Sequence, residues 1–154
     1  MIRIMFVCHG NICRSPMAEF VMKDFVQKKG LSNQFYISSK GTSDEEIGNS
    51  IHYGTRKILM REYIDFDVNK KASQLNKADY DKYDYFIVMD ENNFRSIHSI
   101  FNDKRNKIYK LLDFVGLERD IKDPWYTGDF DTTYEDIKLG CTKLLEYLIQ
   151  KYNL

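Results

Sequence analysis

The chain has 154 residues, with 23 basic and 23 acidic side chains and a formal charge of zero. That balance argues against non-specific binding to nucleic acid or to an anionic membrane, since both need a basic excess on one face. Hydrophobic residues are 43% of the chain and aromatics 14%, enough to bury a core and too much for a disordered chain, and the length suits one domain over residues 1–154.

Ile2, Ile4, Phe6 and Val7 form a short apolar run of β-formers that ends at Gly10, as a buried strand would. From Pro16 the period changes: Ala18, Val21, Met22 and Phe25 recur at helical spacing, with Pro16 expected at the first helical position, where its missing N–H costs nothing. Phe35 to Ser38 reads as a second strand, and Gly41 and Gly48 mark turns in the polar stretch after it. Helical spacing returns weakly over Thr55 to Tyr63. Tyr85 to Met89 is a third strand, followed by Asp90, whose carboxylate suits the cap of a helix carrying Phe94, Ile97 and Phe101 on one face. Lys107 to Leu112 is a fourth short strand leading into a long loop. Thr132 with Glu135 has capping-box spacing, and the helix it would open puts Ile137, Cys141, Leu144, Leu145, Leu148 and Tyr152 on one stripe. Strands alternating with helices predict a three-layer α/β sandwich with a parallel sheet, whose ligands bind at the carboxyl ends of the strands.

Two negative readings accompany this plan. No window approaches the ~20 apolar residues of a membrane span, and Met1 to Val7 lacks a charged region followed by a long apolar stretch. The three cysteines, Cys8, Cys13 and Cys141, are an odd number that fits a reducing compartment better than a secreted disulfide framework, so a cytoplasmic protein is expected.

The loop after the first strand carries the chemistry: Cys8, His9, Gly10, Asn11, Ile12, Cys13, Arg14, Ser15 and Pro16. A cysteine followed six residues later by arginine is weak evidence alone. Its placement between strand and helix raises it, because Gly10 and Asn11 can turn the backbone sharply and aim successive N–H groups inward as an anion nest. A cysteine at the bottom of such a nest sits in a positive field that favours the nucleophilic thiolate. Arg14 supplies a planar fork for two phosphoryl oxygens, and the Ser15 hydroxyl can hydrogen-bond the sulfur. Cys13 is either a packing residue or a redox partner for Cys8. Cys141 reads as core, and His9 as a rim residue. The three histidines, His9, His52 and His98, show no ligand spacing, so no metal and no cofactor is expected.

Val7 to Pro16 resembles the signature of the low-molecular-weight protein tyrosine phosphatases. Ser39 with Gly41, Thr42 and Gly48, the Met89-Asp90-Glu91 turn with Asn93, and Asp123-Pro124 extend that resemblance over essentially the whole chain. It implies a phosphatase I-like fold with sheet order 2-1-3-4 and helices on both faces. It also implies hydrolysis of phosphotyrosine through a phosphocysteine, with Cys8 as nucleophile and the loop from His9 to Ser15 holding phosphate. Among 23 carboxylates spacing cannot choose an acid; the resemblance assigns Asp123 as general acid and then base. Asn11, Ser15 and Ser39 would brace the loop. Trp125 and Tyr126 fit one aromatic wall of the pocket. The opposite wall is expected at Glu45, where the family commonly has an aromatic, so acids replace it here, and Ser73 stands where the family often has arginine. The partners implied are phosphotyrosine proteins, with the chain a monomer or weak dimer.

Three other readings compete. Arsenate reductase of this fold needs further cysteines in mid-chain to relay a disulfide, and none lies between Cys13 and Cys141. Protein-arginine phosphatases favour threonine where Ile12 stands. A phosphate-binding module without catalysis has no need of Cys8, Arg14 and Asp123 together.

Overall fold

A computed structural model describes residues 1–154. Four parallel strands, β1 (Ile2–Cys8), β2 (Phe35–Gly41), β3 (Tyr85–Val88) and β4 (Ile108–Lys110), form one sheet in the order β2-β1-β3-β4. The expected order is therefore found. The helices are α1 (Arg14–Lys28), α2 (Tyr53–Arg61), α3 (Glu91–Ile100), α4 (Pro124–Thr127) and α5 (Phe130–Tyr152), with 3₁₀ turns over Ser32–Gln34, Lys77–Lys82 and Leu111–Val115.

Both faces of the sheet are buried, as the continuous apolar character of a central parallel strand requires. The alternation along β1 shows how. Ile4, Phe6 and Cys8 join the larger core with α1 and α5 residues such as Met17, Val21, Cys141, Leu144 and Leu148. Met5 and Val7 turn the other way, onto Phe86, Val88, Ile97 and Phe101 beneath α3. Cys141 is thus a core residue, fully buried, and burial holds its thiol far above the ordinary range.

Several local expectations need correction. Pro16 is the third residue of α1, which begins at Arg14 after Cys13; its missing N–H still falls among the four donors that a first turn leaves unpaired. Proline at the first helical position occurs instead at Pro124, which opens α4 after the capping carboxylate of Asp123. The Thr132-Glu135 box is not used. Asp129 caps α5, accepting hydrogen bonds from the Thr132 N–H at 3.0 Å and its hydroxyl at 2.6 Å. The carboxylate one turn earlier is the stronger acceptor, so the helix starts earlier. α2 begins two residues before the expected start, capped by His52. Asp90 caps α3 through the Asn93 N–H at 2.7 Å, as expected.

The register aligns Cys8 with Gly41 at the ends of β1 and β2. The loops that follow emerge side by side and are bolted together: the Thr42 N–H donates to the Cys8 carbonyl at 2.9 Å, and both the N–H and hydroxyl of Ser43 donate to the His9 carbonyl at 3.0 Å. Gly41 is required by this proximity, since a Cβ there would lie 2.7 Å from the His9 carbonyl oxygen.

Candidate active site

Cys8 ends β1 and Arg14 begins α1, so the five residues between them must reverse the chain. The turn is made at Asn11, which takes a left-handed φ of 60°. Asparagine tolerates that region better than most residues because its short side chain can hydrogen-bond locally. Here it does so three times. The Asn11 amide donates to the Ser15 hydroxyl at 2.8 Å and the Ser39 hydroxyl at 3.0 Å, while its oxygen accepts from the Ser73 N–H at 3.2 Å. Ser73, standing where the family often has an arginine, contributes through its backbone.

The directions of these bonds settle what Ser15 can do. Both amide protons of Asn11 are spent, and Ser15 accepts one of them; the Cys8 thiol donates to the same hydroxyl from 3.0 Å, and an ionised sulfur would take the Ser15 proton instead. The Asn11 N–H points at the same sulfur from 3.3 Å. An ionised sulfur at this position would therefore accept from both the Ser15 hydroxyl and the Asn11 N–H.

Behind Ser39 lies a buried charge cluster that the sequence reading missed. The Ser39 hydroxyl donates to Glu19 at 2.6 Å. Glu19, 4% exposed, also meets Lys23 at 2.7 Å and Lys70 at 3.3 Å. An unpaired carboxylate would be costly at that depth; two ammonium groups and a hydroxyl satisfy it.

Arg14 is 2% exposed, and its Nη1 donates to Asp90 at 2.6 Å and to the Ile121 carbonyl at 2.9 Å. Its Nη2 lies 3.4 Å from Asp123. Burial works against its charge, but Cys8, Asp90 and Asp123 more than offset this and hold the guanidinium above its ordinary pKa. The second use of Asp90 was also missed. Its position just past the carboxyl end of β3 was the available signal.

A cleft of about 120 Å³ opens over the loop, lined by Cys8, His9, Gly10, Ile12, Cys13 and Arg14 together with Glu45, Glu46, Asp123, Trp125 and Tyr126. The structure therefore gathers every predicted loop and wall residue except Asn11, Ser15 and Ser39, which lie behind it. Trp125 and Tyr126 are 57% and 84% exposed. On the facing rim His9 Nε2 lies 3.0 Å from Glu45. Glu46 is held by the Asn49 amide at 2.6 Å. Asp123 accepts from the Trp125 N–H at 3.0 Å, which ties carboxylate and aromatic wall into one short turn. Cys13 is buried beside the cleft; burial first, then Cys8 and Asp123, push its thiol well above the ordinary range.

The family description "low molecular weight phosphotyrosine protein phosphatase" matches residues 3–153. The chain belongs to this family. It is 45% identical to the low molecular weight protein-tyrosine-phosphatase YfkJ of Bacillus subtilis over 148 residues, 94% of each chain. Identity is 39% to PtpA of Staphylococcus epidermidis over 155 residues, covering 100% of this chain and 98% of the relative. The crystal structure of YfkJ superposes with a TM-score of 0.94 at 44% identity, covering 100% of this chain and 98% of that one. SP-PTP from Streptococcus pyogenes gives 0.87 at 42%, covering 96% and 93%. This low molecular weight phosphatase is accordingly a protein-tyrosine phosphatase of the three-layer α/β type. No helix in it is long and apolar enough to cross a membrane.

Proposed function

We propose that Cys8 is the nucleophile, Arg14 the phosphate fork and Asp123 the general acid and base of phosphotyrosine hydrolysis. Cys8 thiolate attacks phosphorus in line, the S–P bond forms as the P–O bond to the tyrosyl oxygen breaks, and Asp123 gives its proton to that oxygen. The loop N–H groups and Arg14 take up charge on the three equatorial oxygens. Water, losing its proton to Asp123, then attacks phosphorus and returns Cys8 as thiolate, with Ser15 donating to the departing sulfur. No metal or cofactor enters.

The observation that carries this reading is convergence: the sulfur beside the Ser15 hydroxyl and the Asn11 N–H, the buried guanidinium and the Asp123 carboxylate share one cleft. Turnover of p-nitrophenyl phosphate tests it. Cys8→Ser is expected to fall to background. Asp123→Asn is expected to lose about 10²- to 10⁴-fold, the usual worth of general acid-base catalysis, and most for poor leaving groups. Equal rates in Cys8→Ser and wild type would remove the mechanism. Ile12 and Trp125 both line the cleft and offer apolar surface to an aryl ester; turnover of phosphoarginine faster than phosphotyrosine would reverse the substrate assignment.

Substrate choice follows from the rim. Glu45 and Glu46 bring negative charge where an aromatic would stack, so acidic flanking residues are repelled and basic ones are tolerated. A preference for acidic over basic phosphotyrosine peptides would overturn this. Cys13 is a redox candidate: peroxide converts Cys8 thiolate to sulfenic acid, and the Cys13 thiol condenses with it, releasing water and forming a disulfide. Burial pushes the Cys13 thiol up, which disfavours the thiolate that such exchange uses. A cytoplasmic monomer or weak dimer acting on phosphotyrosine proteins completes the reading.

A further inference from the structure

The aromatic wall does not stand by itself. Trp125 belongs to the four-residue helix α4 and is more than half exposed. Its ring meets the ring of His52 edge-on, with centroids 5.7 Å apart and planes at 80°. His52 in turn is held from three sides. Its N–H donates to the Ile12 carbonyl of the phosphate loop at 2.9 Å. Its Nδ1 accepts from the Gly54 N–H at 2.9 Å, capping α2 and leaving the proton of the neutral ring on Nε2. Its face stacks on Phe130 at 5.0 Å and 20°. The tip of Phe130 sits against Gly54 of α2: a Cβ there would come 2.5 Å from the ring. One residue therefore spans from the backbone of the phosphate loop to the ring that faces the leaving group.

We propose that His52 is a positioning residue which fixes Trp125 relative to the phosphate loop and so sets how tightly an aromatic leaving group is gripped. The proposal rests on the phosphotyrosine reading and deepens it. His52 touches no reacting atom; it acts through Trp125, and its effect is confined to the aryl part of a ligand. An edge-to-face aromatic contact of this kind corresponds to a few-fold to about tenfold change in binding.

The test compares competitive inhibition by inorganic phosphate and by benzylphosphonate, with the KM for p-nitrophenyl phosphate. His52→Asn keeps a capping oxygen and removes the ring. It is expected to raise the benzylphosphonate Ki and the KM by roughly three- to tenfold, with the phosphate Ki unchanged within about twofold. His52→Phe removes the cap and keeps a ring. It is expected to keep the ratio of the two inhibition constants near that of wild type while melting at a lower temperature. Equal loss of both inhibitors in His52→Asn, or an unchanged ratio, overturns the proposal, as does a ratio in His52→Phe as poor as in His52→Asn. Wild-type enzyme without aryl phosphatase activity would instead sink the phosphotyrosine reading itself.

Discussion

Asp90 shows how much one side chain can carry. One carboxylate oxygen caps α3, and the other holds the buried Arg14 fork. Asp90→Asn keeps an acceptor for the cap but removes the charge facing the guanidinium. It is expected to lose about 1.5–3 kcal/mol of stability, the worth of a hydrogen bond to a charged group. Urea unfolding measures that loss, and kcat/KM should fall with it as the fork gains freedom. The cysteines differ as sharply. Burial keeps Cys13 and Cys141 as neutral thiols, whereas Cys8 lines the floor of the cleft beside the Ser15 hydroxyl and the Asn11 N–H. Iodoacetate at neutral pH should therefore inactivate by labelling Cys8 alone, and phosphate should protect it. Peptide mapping that finds Cys13 labelled first would contradict this.

At the level of elements, close approach of backbones matters more than propensity. Gly41→Ala puts a methyl group against the His9 carbonyl and should cost about 1–3 kcal/mol, as overpacking does. It should also lower kcat, because the displaced segment is the phosphate loop. Gly30→Ala meets nothing, and only its φ of +70° is strained; it should lower the melting temperature and leave turnover intact. Asp129→Ala should lower the urea midpoint more than Thr132→Ala, since the carboxylate satisfies the first turn of α5 and the threonine only supports it. Hydrogen bonds from Thr132 depress the Asp129 carboxyl pKa. Its stabilising effect is therefore present above the ordinary carboxylate range and fades as pH falls through the depressed value, where Asp129→Ala and wild type should converge.

These elements also mark what could be read from the chain. Strands, their parallel direction and the Cys8 to Arg14 loop were legible because burial on both sheet faces and an anion nest each impose a local pattern, whereas the strand order came from the family resemblance. The capping residues Asp129 and His52 were not, because a cap is decided by which of several nearby acceptors the tertiary packing favours. Proline showed the same ambiguity: Pro16 and Pro124 both suit a first helical turn, and only the structure separates their places. Glu19 and the second role of Asp90 were hidden for another reason. Their partners, Ser39 and Arg14, are distant in sequence, so no spacing announces them.

For the molecule as a whole, the site is held by the protein's own contacts. Arg14 is fixed on Asp90 and the loop is braced through Asn11. Phosphate bound among these groups should stabilise the native state. At a concentration about 100 times its dissociation constant the gain is about 2.7 kcal/mol, or several degrees in melting temperature for a chain of this size. Cys8→Ser should keep most of that shift and Arg14→Ala should lose it. An equal shift in Arg14→Ala would mean that phosphate binds elsewhere.

The central strand is also the first one made. β1 leaves the ribosome with Cys8 at its end, yet the groups that shield and employ this sulfur are spread to Asp123 and the helix beyond. At the usual ~5–20 residues per second of synthesis, the nascent thiol waits on the order of ten seconds for its enclosure. Until then the sulfur is an ordinary cysteine on an open chain, and it acquires the partners that set it to work only when most of the sequence has been made.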